Sequence, residues 1–126
     1  MSHEMTLAID CGGGGIKGSV VDEKGTMVAP ARRVPTPYPL PPGLLVRTVC
    51  DLAAGLPRAT RVTMGMPGMI RHGVVVATPH YITKDGPRSR VLPELVEQWD
   101  HFDMGRAIAA ALSLPTKVLN DAEVAG

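Results

Sequence analysis

The chain has 126 residues, with 13 Lys and Arg against 12 Asp and Glu, so its formal net charge is +1 when histidine is neutral. This length suits a single domain, and this charge supplies no field to attract nucleic acid or an anionic membrane, so neither is expected as a partner. Cys11 and Cys50 are too few for a disulfide framework, and no Cys/His cluster indicates a zinc site. Residues 1–4 are polar and the apolar run behind them has only five residues, so we expect no signal peptide, no membrane span and a cytoplasmic location.

The first third of the chain predicts a β-meander followed by a proline-rich connector. Only four residues are aromatic, so the core is expected to be aliphatic. Short apolar or β-branched runs predict strands at residues 5–9, 16–21 and 26–34, with turns at the glycines of 12–15 and at 22–25. Five prolines between residues 33 and 43 remove amide donors, so this segment is expected to be extended and outside any central strand.

The remaining elements alternate between helices and strands. Apolar residues at helical spacing predict helices over 43–55, 92–99 and 104–112, the last capped by Asp103. Strands are predicted at 61–66 and 116–119, with a hairpin of 69–70 and 74–76 between them and an irregular basic loop over 78–90. Residues 122–126 resemble the first turn of another helix.

This order of elements predicts an α/β fold, with a mixed sheet that has antiparallel hairpins and flanking helices. Ligands of such sheets bind at the carboxyl ends of the strands. Two polar groups fall at predicted strand ends, namely Asp10 and the pair Asn120-Asp121. We therefore expect the functional site at this edge.

The stretch from Asp10 to Gly18 is the most informative one for chemistry. Four consecutive glycines, Gly12 to Gly15, remove every Cβ from the turn, so backbone amides are free to converge on an anion. Asp10 is a candidate ligand for Mg²⁺ or its waters, and Lys17 has the reach to contact a phosphate. The stretch fits neither the Walker A pattern nor the dinucleotide GxGxxG pattern. The alternative interpretation is a hairpin whose glycines are merely flexible.

Asn120 and Asp121 also have two interpretations. An Asp between a strand and a helix is commonly an N-cap. A carboxylate in a cleft is also suited to act as general base toward a hydroxyl, with a neighbouring Asn binding the adjacent hydroxyls of the substrate.

Three motifs in this order resemble the amino-terminal half of the ROK family of sugar kinases and related repressors. They are Asp-x-Gly-Gly-x-x-x-Lys at 10–17, Pro67-Gly68 followed by Gly73-Val74, and Asn120-Asp121-Ala122. The resemblance covers the whole chain. The chain is most similar to glucokinase-type members, polyphosphate glucokinases among them, in residues 15–18 and 35–39. It implies a ribonuclease H-like lobe of the actin and hexokinase superfamily, and Mg²⁺-assisted phosphoryl transfer from ATP or polyphosphate to a hexose.

The resemblance also implies roles for individual residues. Asp121 would be the base for the 6-hydroxyl of the sugar, and Asn120 would hold adjacent hydroxyls. The donor phosphates would be surrounded by Asp10, Gly12, Gly13, Gly14 and Lys17, although Gly14 stands where the family usually has Ser or Thr. The sugar side would be shaped by Gly65, Pro67 and Gly68, with His80 as a substitute donor near the place of a family Asn.

The family's Glu-x-Gly-His motif, zinc cysteines and second phosphate loop have no counterpart in residues 1–126. The resemblance therefore implies a single amino-terminal lobe over 1–126, with little or no kinase activity by itself. Apolar surface meant for the other half is expected to be exposed or covered in a homo-oligomer. The alternative is a sugar-sensing regulator of the same family that lacks its DNA-binding domain.

Overall fold

The structure, a computed structural model, describes residues 4–121. Its strands are β1 (Thr6–Cys11), β2 (Gly15–Val21), β3 (Arg32–Pro35), β4 (Arg61–Met66), β5 (Met69–Arg71), β6 (Val74–Ala77) and β7 (Thr116–Asn120). Its helices are α1 (Pro42–Ala54), α2 (Pro93–Trp99) and α3 (Met104–Leu112). The helix turn predicted for 122–126 lies outside the described residues.

The central sheet has five strands in the order β3-β2-β1-β4-β7. Strands β1, β2 and β3 form the antiparallel meander, whereas β4 and β7 run parallel to β1 and to each other. Strands β5 and β6 form a separate hairpin. The carboxyl ends of β1, β4 and β7 consequently lie along one edge of the sheet.

One face of the sheet carries the hydrophobic core. The alternating residues Leu7, Ile9 and Cys11 of β1 are buried on this face, as are their neighbours on β4 and β7. Helix α1 packs against β2 and α3 packs against β7, and the two helices contact each other. Leu45, Val49 and Leu52 recur at i, i+4 and i+7, which places them on the buried stripe of α1.

The helix ends follow their local sequence. Helix α1 starts at Pro42, whose missing N–H costs nothing at a first-turn position. The side chain of Asp103 accepts a hydrogen bond of 3.0 Å from the amide of Arg106, which confirms the predicted cap of α3. Within residues 4–121, no helix combines the length and apolar character that a bilayer span requires.

The third strand is shorter than the sequence predicts. Only Arg32–Pro35 pairs with β2, whereas residues 26–31 contribute a single isolated bridge, between Val21 and Met27. Pro30 lacks the amide that would continue the ladder, and Met27 and Val28 are exposed. The predicted helices, the strands at 61–66 and 116–119 and the 69–76 hairpin are confirmed to within one or two residues.

Candidate functional site

The register of the sheet brings the predicted site residues together at one edge. Asp10 at the end of β1 pairs with Gly65 of β4. One step further along, Met66 pairs with Asn120 at the end of β7, and Asp121 follows directly. Parallel pairing therefore places the glycine loop (Gly12–Gly15), the Pro67-Gly68 turn and the Asn120-Asp121 pair side by side at the predicted edge.

The glycine loop connects β1 and β2 as a tight hairpin whose carbonyls are held by side chains. The amide of Gly12 donates to the carbonyl of Gly15 at 2.9 Å, which closes the turn. The carbonyl of Gly12 accepts from Thr36 Oγ1 at 3.0 Å and from the Tyr81 hydroxyl at 2.8 Å. The carbonyl of Gly13 accepts from the Tyr38 hydroxyl at 2.7 Å.

These hydrogen bonds orient the amides of the loop. In a trans peptide the C=O of one residue and the N–H of the next point in opposite directions. The amides of Gly13 and Gly14 therefore point away from the three hydroxyls. In residues 4–121 neither amide donates to a protein acceptor, so both are available to an anion. The amide of Gly12, in contrast, is used inside the hairpin.

Two basic side chains stand beside the loop, and only one of them was a sequence candidate. In the strand register, Lys17 lies opposite Asp10 of β1 on one side and opposite Arg33 of β3 on the other. The three side chains are therefore cross-strand neighbours on one face. The Arg33 guanidinium also lies over Gly15, where a Cβ would be 2.5 Å from its Nη2 atom. A cavity of about 220 Å³ is lined by Gly14, Arg33, Val34 and Pro35. Arg33 was not a candidate from the sequence, because only the strand register reveals its position beside the loop.

Asp10 is exposed near the end of β1, where the strand register places it opposite Lys17. In residues 4–121, no three His, Cys, Asp or Glu side chains come together as a metal cluster. Mg²⁺ is usually held by one or two carboxylates together with substrate phosphates, so one exposed carboxylate beside a loop with unbonded amides fits it chemically.

The turn at the end of β4 is fixed by side chains from two other segments. The Thr78 hydroxyl donates to the carbonyl of Pro67 at 3.1 Å, and the Asn120 side-chain amide donates to the carbonyl of Gly68. Gly68 has φ of +112°, and a Cβ there would lie 2.1 Å from the carbonyl oxygen of Ala77. A cavity of about 540 Å³ beside this turn is lined by Gly68, Met69, Ile70, Ala77, Pro79 and Asn120.

Asp121 is half-buried and directly follows β7. Like Asp10, it raises the pKa values of the buried Cys11 and Tyr81 side chains. Burial raises the pKa of the Cys11 thiol well above its ordinary value, and the carboxylates of Asp10 and Asp121 raise it further. Burial likewise raises the pKa of Tyr81, again with contributions from both carboxylates. Both carboxylates therefore act electrostatically on the same two buried side chains, and the Tyr81 hydroxyl remains a protonated donor at neutral pH.

His80 lies against the glycine loop. A Cβ on Gly13 would be 3.1 Å from His80 Nδ1 and 2.8 Å from Pro87 Cγ. The Nδ1 atom is buried without a hydrogen-bond partner among the described residues. The segment 78–90 thus folds over the loop, a contact that its lack of periodicity did not reveal. The predicted sugar contact of His80 stays a prediction, and the neighbouring Pro79 lines the 540 Å³ cavity.

Known proteins resemble this chain in both sequence and fold. This chain is 28% identical over 122 residues to the polyphosphate glucokinase of Mycobacterium tuberculosis, and the match covers 95% of this chain and 41% of that protein. The inorganic polyphosphate/ATP-glucomannokinase from Arthrobacter sp. strain KM superposes with a TM-score of 0.74 at 32% identity, covering 97% of this chain and 46% of that one.

A ROK family glucokinase from Streptomyces griseus, solved with glucose and AMPPNP, gives a TM-score of 0.72 at 26% identity, covering 96% of this chain and 34% of that one. The present chain thus spans less than half the length of these relatives. Their likeness confirms the expected α/β fold of the actin-like, ribonuclease H-like class. The ROK family profile matches residues 6–126. The chain therefore belongs to the ROK family.

Proposed function

We propose that this chain is the amino-terminal lobe of a sugar kinase that transfers a phosphoryl group from ATP or polyphosphate to the 6-hydroxyl of a glucose-like hexose. One observation carries the proposal. An amide-presenting glycine loop and two carboxylates, Asp10 and Asp121, share one sheet edge with a 540 Å³ cavity.

On the donor side, the amides of Gly13 and Gly14 point outward, and Lys17 and Arg33 add positive charge nearby. Phosphoryl transfer depends mainly on positioning the donor and neutralising charge that spreads over its oxygens. Main-chain amides and basic side chains supply both. Asp10 would hold Mg²⁺ or its waters, and the ion would neutralise phosphate charge when bound.

On the sugar side, Asp121 would accept the proton of the attacking hydroxyl, because a carboxylate at the mouth of the cleft suits a general base. Gly65, Pro67 and Gly68 would form the wall of the sugar cavity. Asn120 braces that wall through the Gly68 carbonyl and would also contact sugar hydroxyls. The 540 Å³ cavity lies in the size range of small-molecule sites.

We further propose that residues 1–126 form a single lobe whose isolated activity is low. Catalysis by positioning needs both walls of a cleft. The kinases to which the chain is similar are more than twice its length, which supports an active site shared with further residues.

The test is a coupled assay for glucose 6-phosphate with the full-length gene product, run with ATP and with polyphosphate. Phosphorylation with either donor is expected. Tight glucose binding with no transfer from either donor would contradict the proposal and favour the sugar-sensing regulator. An inactive 126-residue fragment beside an active full-length protein would support the single-lobe assignment.

A further inference from the structure

The four aromatic side chains of this aromatic-poor chain form one connected cluster. The ring centroids of Tyr38 and Tyr81 are 6.4 Å apart, those of Tyr81 and Trp99 are 5.7 Å apart, and those of Trp99 and Phe102 are 6.1 Å apart. Trp99 is buried and its Nε1 donates to the carbonyl of Leu40 at 2.8 Å. The cluster therefore runs from helix α2 to the glycine loop.

The end of this cluster nearest the loop carries polar groups. The Tyr81 ring is fully buried, yet its hydroxyl donates to the Gly12 carbonyl. The Tyr38 hydroxyl donates to the neighbouring Gly13 carbonyl, and buried Thr36 supplies a second donor to Gly12. Three hydroxyls from two distant segments therefore hold two consecutive carbonyls of the loop.

Glycines alone do not fix the direction of a peptide group, because they populate positive and negative φ with similar ease. A peptide that flips would point its carbonyl oxygen, a negative dipole end, at a bound anion. A flip at Gly12 would leave the buried Thr36 and Tyr81 donors unpaired, and a flip at Gly13 would break the contact of the half-buried Tyr38, so each flip costs more than a relaxed turn.

We propose that Thr36, Tyr38 and Tyr81 are positioning residues that hold the amides of Gly13 and Gly14 toward the donor phosphate. This inference rests on the proposed function of the loop in binding the donor. The three hydroxyls donate to loop carbonyls that point away from the two amides, so they would act through the two peptide groups and not by contact with the donor.

The experiment compares Tyr38→Phe, Tyr81→Phe and Thr36→Val with wild type in the full-length protein. Each variant keeps the size of the side chain and removes one donor. Thr48→Val and Trp99→Phe are the controls. The first removes a hydroxyl that donates to the Leu44 carbonyl within α1, and the second removes the Trp99 hydrogen bond to the Leu40 carbonyl but leaves the loop hydroxyls.

Two readouts separate positioning from a general loss of stability. The first is the KM for the phosphoryl donor against the KM for glucose, and the second is binding of inorganic tripolyphosphate by calorimetry. We expect Tyr38→Phe to weaken donor binding about tenfold, because Tyr38 is the side chain that holds Gly13. The Tyr81 and Thr36 hydroxyls donate to the same Gly12 carbonyl. Tyr81→Phe and Thr36→Val are therefore each expected to weaken donor binding less than the double variant does.

Unchanged donor KM and tripolyphosphate affinity in folded Tyr38→Phe and in the double variant would overturn the inference. So would equal losses in the two controls, since they would indicate a purely structural effect. If wild type transfers no phosphate at all, the proposed function fails, and the tripolyphosphate titration still tests the hydroxyls. Should Tyr81→Phe not fold, the half-buried Tyr38 supplies the deciding variant.

Discussion

His80 and Gly13 are in direct contact across 67 positions of sequence, since a Cβ on Gly13 would lie 3.1 Å from the Nδ1 atom of His80. This contact joins the glycine loop to the segment 78–90, which also supplies Tyr81 and Pro87 to the loop. The segment thus supports the loop of the proposed donor site through several of its residues.

The glycines of this loop are expected to differ sharply in their tolerance of a side chain. A Cβ on Gly13 would be 2.8 Å from Pro87 Cγ, whereas a Cβ on Gly14 would meet nothing within 4 Å. Gly13→Ala should displace the loop and weaken donor binding by up to about a hundredfold. Gly14→Ala, the matched control, should change it by no more than about twofold.

Tripolyphosphate titrations of the two variants provide the measurement. Equal affinities would contradict the described packing of His80 and Pro87 over Gly13. Gly14→Ser is a useful third variant, because it restores the residue type that the family usually has there and the space is open for it.

The turn at Gly68 is expected to require glycine for the stability of the fold. The positive φ and the 2.1 Å approach of a Cβ to the Ala77 carbonyl oxygen leave no room for a side chain. Gly68→Ala should lower the free energy of unfolding by at least about 3 kcal/mol. Gly43→Ala in α1, where a Cβ meets nothing, should raise it by about 0.5 kcal/mol.

Urea denaturation of both variants would check this pair. A Gly68→Ala protein as stable as wild type would show that the Pro67-Gly68 turn relaxes easily, and that its close contact with Ala77 is not needed.

Cys11 is expected to make the protein less stable in mild alkali. Burial, with Asp10 and Asp121, raises the thiol pKa, so the native state keeps a proton that the unfolded state releases. The free energy of unfolding should therefore fall as pH rises above about 8.5, by up to about 1.4 kcal/mol per pH unit. Below that pH the thiol is protonated in both the folded and the unfolded state, so Cys11 adds no pH dependence to the free energy of unfolding.

The check is urea denaturation between pH 7.5 and 9.5 for wild type, Cys11→Ala and Cys50→Ala. Cys11→Ala should remove most of the slope, because Cys11 is fully buried whereas Cys50 is only partly so. A slope that is lost in Cys50→Ala and kept in Cys11→Ala would refute this assignment.

Lys17 and Arg33 are expected to contribute long-range attraction to the donor. Both are exposed cross-strand neighbours beside the loop, and Arg33 lines the cavity next to Gly14. Lys17→Met or Arg33→Met should each raise the donor KM about tenfold at low ionic strength, with a smaller effect as salt screens the charge. Lys24→Met, in the exposed 22–25 turn, is the control. Equal KM values for Arg33→Met and Lys24→Met would remove Arg33 from the donor site.

Much of the fold could be predicted because its elements are periodic and well bounded. The stripe of Leu45, Val49 and Leu52 identified α1, and Asp103 identified the start of α3. The glycines after β1 and the Asn120-Asp121 pair identified the edge of the proposed site, since they stand at ends of parallel strands.

The supports of the site could not be predicted in the same way. The Tyr81 hydroxyl reaches Gly12 over a separation of 69 positions, and no local pattern encodes such a contact. Arg33 looked like one charge in a long strand, whereas its position opposite Lys17 depends on strand register. Pro30 ended the pairing that the β-branched run suggested, because a single missing amide outweighed the propensity of its neighbours.

The most direct test of the proposed kinase function is the turnover number of Asp121→Asn in the full-length protein, beside Asp51→Asn as a control in an exposed part of α1. Asparagine keeps the shape of the side chain but cannot accept the proton of the sugar hydroxyl. We predict that kcat for glucose phosphorylation falls by about 10²–10⁴ with the KM for glucose little changed, and that Asp51→Asn behaves like wild type. Normal turnover in Asp121→Asn would contradict the account.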